Sequence, residues 1–268
     1  MNKLSTCLIS GLMALSSQYA NAITINFDYT FDSGFFSGAN QSRRTVLNAA
    51  GALFENRLTD QLTAISSTGG NHFNANFNSP SDGVSQTIND FNVAADSLVV
   101  FVGARNLGGN ILGQGGNGGF TASGTSQAFL DNLKTRGQAA SDFGPWGGAM
   151  AFNSTSSWYF DSDVNTVESF NGQNDFYSVA IHELGHVLGY GSAHASHWAE
   201  GTMSSFNGVP QEAAMDPTLT IGSRKYFTDL DFQGLRDIGW QVSAVPVPAA
   251  VYLLASAMLS LIGFRRKD

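Results

Sequence analysis

The sequence predicts a single α+β domain between two apolar termini, and three observations point there. A strand-like alternation, ITINFDY, runs directly into an amphipathic helix. A β-rich apolar run, SLVVFVGA, is bounded by Gly- and Asn-rich sequence. A histidine-bearing helical stretch, NDFYSVAIHELGHVLG, then precedes a short helical finish. The expected architecture is an N-terminal mixed sheet with helices, a helix that carries the site, and a small C-terminal subdomain. With 268 residues and both ends set aside, one domain over residues 23–242 accounts for the chain.

Each element has its own warrant. Ile23, Ile25, Phe27 and Tyr29 alternate with polar residues, the period of a half-buried strand. In RRTVLNAAGALFENRL, Val46, Leu47, Ala50, Leu53, Phe54 and Leu58 recur at helical spacing. Ser97 to Ala104 suits an interior strand, and GGNILGQGGNGGF after it reads as a surface loop. AFLDNLKTR reads as a short helix. GGAMAFN and SSWYFD read as two short strands forming a hairpin or a sheet edge, with GGAMAFN (Gly147 to Asn153) the expected edge.

Asp161, Asp163 and Asn165 alternate as the start of a calcium loop would. Thr166 stands where that loop needs glycine and Gly172 where it needs a bidentate Glu, so a solvated turn is expected. Asn174 or Asp175 can cap the next helix, Phe176, Val179, Leu184, Val187 and Leu188 give it an apolar side, and Gly189 can end it. In TDLDFQGLRDIGW, Thr228 and Asp231 have capping-box spacing and Leu230, Leu235 and Ile238 face inward.

The two ends read as targeting segments. Residues 1–22 have one Lys, a short apolar run and a small-x-small Ala20-Asn21-Ala22, the pattern of a secretory signal peptide. Cleavage there removes Cys7, the only cysteine, so thiol masking of a metal is not expected. At the other end Pro246 and Pro248 precede an uncharged apolar run from Ala249 to Phe264, followed by Arg265, Arg266 and Lys267. That is the pattern of a membrane segment with a basic cytoplasmic tail. With 21 Asp and Glu against 13 Lys and Arg, no nucleic-acid partner is expected.

Four of the five histidines lie between His182 and His197. On a helix, His182 and His186 share one face a turn apart, so both imidazoles reach one ion. Glu183 is rotated off that axis and can act as a base toward water at the ion without filling a coordination position. Imidazole donors favour Zn²⁺, and a catalytic zinc takes three protein ligands and leaves a position open. His194 and His197 both remain as third ligand, because a few more loop residues change the closure entropy by well under about 1 kcal/mol. The same sequence admits a non-catalytic surface protein with a structural zinc. Glu183 weighs against that reading, since a structural site has no use for a base.

HELGHVLG resembles the HExxHxxG start of the metzincin zinc peptidases, in which Gly189 would turn the chain and a His three residues on would return to the metal. Ser192 stands at that position here. The segment HWAEGTM with AAMDPTLTIGSRKYFTDLDFQGLRDIGW is similar to secreted bacterial metalloproteases. That resemblance implies His197, the His of the HW pair, as third ligand beside His182 and His186, Glu183 as general base, and Met215 in a Met-turn beneath the ligands. It implies a zincin-like fold and a zinc endopeptidase acting on protein or peptide substrates. The tyrosine that some metzincins place two residues after this Met is replaced by Pro217, and Tyr226 is given no role. The proline motif, apolar span and basic tail of residues 243–268 resemble the PEP-CTERM sorting signal, with Val247 in place of its Glu. That resemblance implies an exosortase partner and a periplasmic, surface or extracellular location.

Overall fold

A computed structural model describes residues 23–139, 142–161, 163–166 and 169–243. The signal peptide expected over residues 1–22 lies outside the described residues, as does all but Ser243 of the sorting signal expected over 243–268. Among the described residues no helix is long and apolar enough to cross a membrane.

In chain order the elements are β1 (Thr24–Asp28), α1 (Arg43–Glu55), β2 (His72–Asn78), β3 (Ser85–Ile88), β4 (Ser97–Arg105), β5 (Gly113–Asn117), β6 (Gly119–Ser123) and α2 (Gln127–Thr135). They continue as β7 (Gly147–Asn153), β8 (Trp158–Tyr159), β9 (Asn174–Asp175), α3 (Phe176–Val187), β10 (Met203–Phe206), β11 (Val209–Glu212) and α4 (Asp229–Ile238). The fold class is α+β, as the sequence predicts.

The main sheet has the order β1-β4-β7-β5, with β1, β4 and β7 parallel and β5 antiparallel at the edge. β4 is apolar on both faces because both are covered. Leu98, Val100, Val102 and Ala104 join the core shared with α1, α3 and α4, whereas Phe101 turns to a second core under the β3-β2-β6 sheet and α2. That two-sided burial explains the continuous hydrophobic run.

Four local expectations need correction. GGAMAFN is not the sheet edge: β7 lies between β4 and β5 and is buried nearly throughout. The edge is β5, from the Gly-rich segment expected to be loop. SSWYFD forms no hairpin with β7, because β8 pairs in parallel with β9. Finally, Asp161 is not in a solvated turn. It is buried and meets Arg224 at 2.7 Å.

The Arg224 contact positions the site helix. Arg224 also donates to both carboxylate oxygens of Asp175 at 3.0 and 2.8 Å, and Asp175 caps α3 by accepting from the Ser178 amide at 3.1 Å. Removing one partner from such a buried ion group costs about 3–5 kcal/mol, because the other charges stay buried.

The chain leaves the domain along a short clamp. Leu58 and Val242 form an antiparallel bridge, the Thr59 amide donates to the Gln241 carbonyl at 2.9 Å, and the Gln241 amide donates to the fully buried Asp60 carboxyl at 3.0 Å. Burial pushes the Asp60 carboxyl up to about 6, the Gln241 amide and Asp60's own amide oppose the shift, and Asp142 adds to it. A raised folded pKa means stability present below the unfolded value near 3.8 and lost as pH rises through 6. Chemical denaturation of Asp60→Asn beside the wild type is expected to show the wild type losing stability relative to the variant between pH 4 and 6. A pH-independent difference would remove this assignment.

Candidate metal centre

Helix α3 places His182 and His186 one turn apart, with their Nε2 atoms 3.2 Å from each other. His197 joins from the loop beyond, and one ligand atom from each of the three histidines lies within 4.8 Å of the others. Two neutral imidazoles bound to one tetrahedral zinc at about 2.05 Å would have their nitrogens about 3.3 Å apart, so the spacing fits zinc.

The tautomers suit ligation as well. His182 Nδ1 is 2.7 Å from the Ala214 carbonyl and His186 Nδ1 is 3.0 Å from the Tyr190 carbonyl. Nδ1–H donation to those oxygens leaves each Nε2 lone pair to the ion. Burial, and after it the neighbouring His186, drives the His182 pKa down to about 3. Burial lowers those of His186 and His197 too, so all three are neutral donors at pH 7.

His194 is elsewhere. Its ring packs against Tyr190 and Trp198 at centroid distances of 5.1 and 5.2 Å, and its Nδ1 faces the Ala195 carbonyl. The chain leaves α3 at Gly189, whose φ of 120° lies in the left-handed region that favours glycine. Tyr190 N bonds to Gly185 O at 3.1 Å and Gly189 N to His186 O at 3.2 Å, a Schellman ending that turns the chain out of α3.

Glu183 is 5% exposed, wedged between α3 and β5. A Cβ at Gly113 would come within 2.4 Å of Glu183 Oε1, and one at Gly115 within 2.5 Å of the Glu183 carbonyl. Only glycine lets the edge strand approach the helix this closely. Burial pushes the Glu183 carboxyl up to about 8, while the Gly115 amide favours its charged form. A cation at the imidazoles would draw it back down.

Met215 is fully buried, and a Cβ on Gly185 would meet its Sδ at 2.4 Å, so this Met packs directly beneath the site helix. The loop bearing it is held by Asp231, the buried N3 residue of α4. Asp231 accepts from Ala214 N at 2.8 Å, Met215 N at 3.1 Å, Trp198 Nε1 at 2.9 Å, and Thr228 N and Oγ1 at 2.7 Å each. The capping-box spacing marks Asp231 as a cap; its reach to the ligand-bearing segments has no local signal. Pro217 lies in the cleft wall, whereas Tyr226 stacks on Phe206 at 4.5 Å.

The three histidines and Glu183 open into a cavity of about 720 Å³ between β5 and the 214–219 segment, with Val179, Ile111, Leu112, Pro217 and Leu219 among its apolar lining. Lys225 closes part of it, its ammonium bonded to the Thr218 carbonyl at 2.6 Å, Glu212 at 2.9 Å and Asp216 at 3.2 Å.

Residues 121–220 match the Matrixin peptidase family. The matched segment contains α3, His182, Glu183, His186, His197 and Met215, and stops before α4. The metalloendoproteinase 2-MMP of Arabidopsis thaliana is 32% identical over 101 residues, which is 37% of this chain and 23% of that protein. The chain therefore spans under a quarter of this relative's length. No solved structure gives a significant match. The α+β architecture agrees with a matrixin or metzincin zincin-like fold.

Three substitutions test the centre. Zinc titration against a competing chelator is expected to show His197→Ala losing more than about 100-fold in affinity, beyond the loss typical of an outer partner, with His194→Ala close to wild type. Asp231→Asn is expected to weaken zinc about 10- to 100-fold, because its amide group faces N–H donors. Equal losses at His194 and His197 would contradict the geometry.

Proposed function

We propose that the chain is a zinc-dependent endopeptidase. The observation that carries the reading is the convergence of three neutral imidazoles beside a buried carboxyl, in a cleft bordered by a sheet edge. Similarity to matrixins and to a plant metalloendoproteinase supports it.

His182, His186 and His197 would hold the ion. When bound, Zn²⁺ supplies a Lewis acid that acidifies water and polarises a carbonyl. Glu183 supplies the base: its carboxylate takes a proton from the attacking water and returns it to the leaving amine. β5 pairs with β7 along one edge, and its other edge has no partner strand among the described residues. A peptide can add there as a further strand, its backbone held by main-chain hydrogen bonds. The apolar wall of Val179, Pro217 and Leu219 would receive a side chain next to the scissile bond. A purely structural zinc would leave unexplained why the base shares an open cleft with the ligands.

The ends of the chain support a place outside the cytoplasm. The basic start, short apolar run and Ala20-Asn21-Ala22 favour export, and the apolar 249–264 run with its basic tail favours retention at a membrane. On this reading an exosortase-type enzyme processes a PEP-CTERM-like signal, and the catalytic domain works in the periplasm, at the surface or beyond it.

The zinc-loaded protein is expected to cleave an unfolded protein such as reduced casein, to stop when zinc is chelated, and to resume when zinc is returned. Glu183→Ala is expected to keep its zinc and lose about 10²- to 10⁴-fold in kcat. Zinc-replete wild type that leaves such substrates intact would end the peptidase reading.

A further inference from the structure

A second cavity, of about 490 Å³, lies against the other face of β5. Asn76, Asn78, Ser85, Arg105, Gln114 and Asn117 give it a polar lining that contains no acidic residue, in a chain of net charge −8. Arg105 ends β4. Its guanidinium donates to the carbonyls of Ser79 and Pro80 at 3.3 and 3.0 Å and to the Gln114 side-chain oxygen. Those bonds use three of its five N–H donors. Among the described residues Arg105 forms no ion pair, and the exposed Asp82 acts on it only at longer range.

β5 lies between the two cavities and alternates between them. Gly113 and Gly115 turn their Cβ positions toward Glu183, while Gln114 and Gly116 sit in register with Ala151 and Ala149, which line the second cavity. A Cβ built at Gly116 meets nothing within 4 Å, so the space on that side is open. A peptide added to the free edge of β5 would alternate in the same way, since side chains directly across a ladder share a face. Residues opposite Gln114 or Gly116 would then direct their side chains toward Arg105, and their neighbours would face the metal cleft.

We infer that this cavity is a substrate subsite for an acidic side chain, which selects peptides carrying Asp or Glu at one position on the face of the bound strand away from the metal. The inference rests on the peptidase reading for the path of the peptide. Its chemistry is the pairing of a guanidinium with a carboxylate in a lining that offers no competing acid.

Profiling of a peptide library with the full-length zinc-loaded protein is expected to show Asp and Glu enriched about 1.5- to fivefold at a single position, the range of a partly exposed charge pair. Arg105→Gln is expected to abolish that enrichment alone, with zinc content unchanged. Because Arg105 also ties down the Ser79–Pro80 carbonyls, Gln114→Glu provides a second arm: its carboxylate would pair with the guanidinium that Gln114 already meets, and the acidic preference is expected to be lost. Acidic enrichment that is absent, or that survives both substitutions, overturns the subsite. Should the wild type cleave nothing, calorimetry with paired acidic and neutral decapeptides decides. Tighter binding of the acidic peptide that Arg105→Gln removes would uphold the subsite while the peptidase reading falls, and equal binding would overturn it.

Discussion

The buried carboxylate of Asp231 is the constraint on which the arrangement of the site depends. It is fully buried and its contacts are neutral: two amides from the 214–215 loop, the indole of Trp198, and the amide and hydroxyl of Thr228. Each donor belongs to a segment that borders the three-histidine cluster or holds such a segment in place. Ala214 presents the carbonyl that orients His182, Met215 packs under α3, and Trp198 follows His197 in the chain. Thr228 anchors the group to α4. Hydrogen bonds to a charged acceptor are each worth about 1.5–3 kcal/mol, and leaving the carboxylate unpaired at this depth would cost more. The loop, the third ligand and the helix are therefore ordered together.

Electrostatics reinforces that order. Three imidazoles in one pocket repel one another when protonated, and burial already disfavours the charge, so the rings are neutral, and those of His182 and His186 have their Nδ1 atoms committed to carbonyls. The same low-dielectric surroundings that keep His182 neutral raise the Glu183 carboxyl, and a divalent ion reverses the second effect without undoing the first. One helix consequently carries groups whose pKa values burial moves in opposite directions.

What was legible in the sequence follows from what side chains record locally. Helices α1, α3 and α4 are readable because apolar spacing and caps lie within a few residues: Asp175 and Thr228 cap as their positions suggest. β4 is readable as a buried strand from its run of Leu, Val and Phe. GQGGN has too few side chains for an alternation to show, so β5 has no strand signature, although its glycines are what let it lie on Glu183. The choice between His194 and His197 depends on how the loop closes, and chain length is nearly neutral on that point. Asp161 looks like a surface turn because its partner Arg224 is far away in the chain.

The longer loop to the third histidine raises a different question, since closure is inexpensive but ordering is not. Each residue fixed between Gly189 and His197 gives up about 1–2 kcal/mol of backbone entropy. Contacts within and around the loop offset this. The Tyr190 hydroxyl donates to the Asp231 carbonyl at 2.7 Å, Gly191 N donates to His194 O at 3.0 Å, and Ser192 Oγ donates to Asn117 Oδ1 at 2.5 Å. Trp198 N bonds to Met215 O at 3.1 Å. His194, set between Tyr190 and Trp198, belongs to this packing and lies outside the cluster of His182, His186 and His197. Through Ser192 the loop also touches the end of β5, so the segment that delivers His197 is tied to the strand that borders both cavities. A shorter loop could bring a histidine to the ion with less ordering, but it would lack the Ser192 contact that joins the ligand loop to the sheet edge.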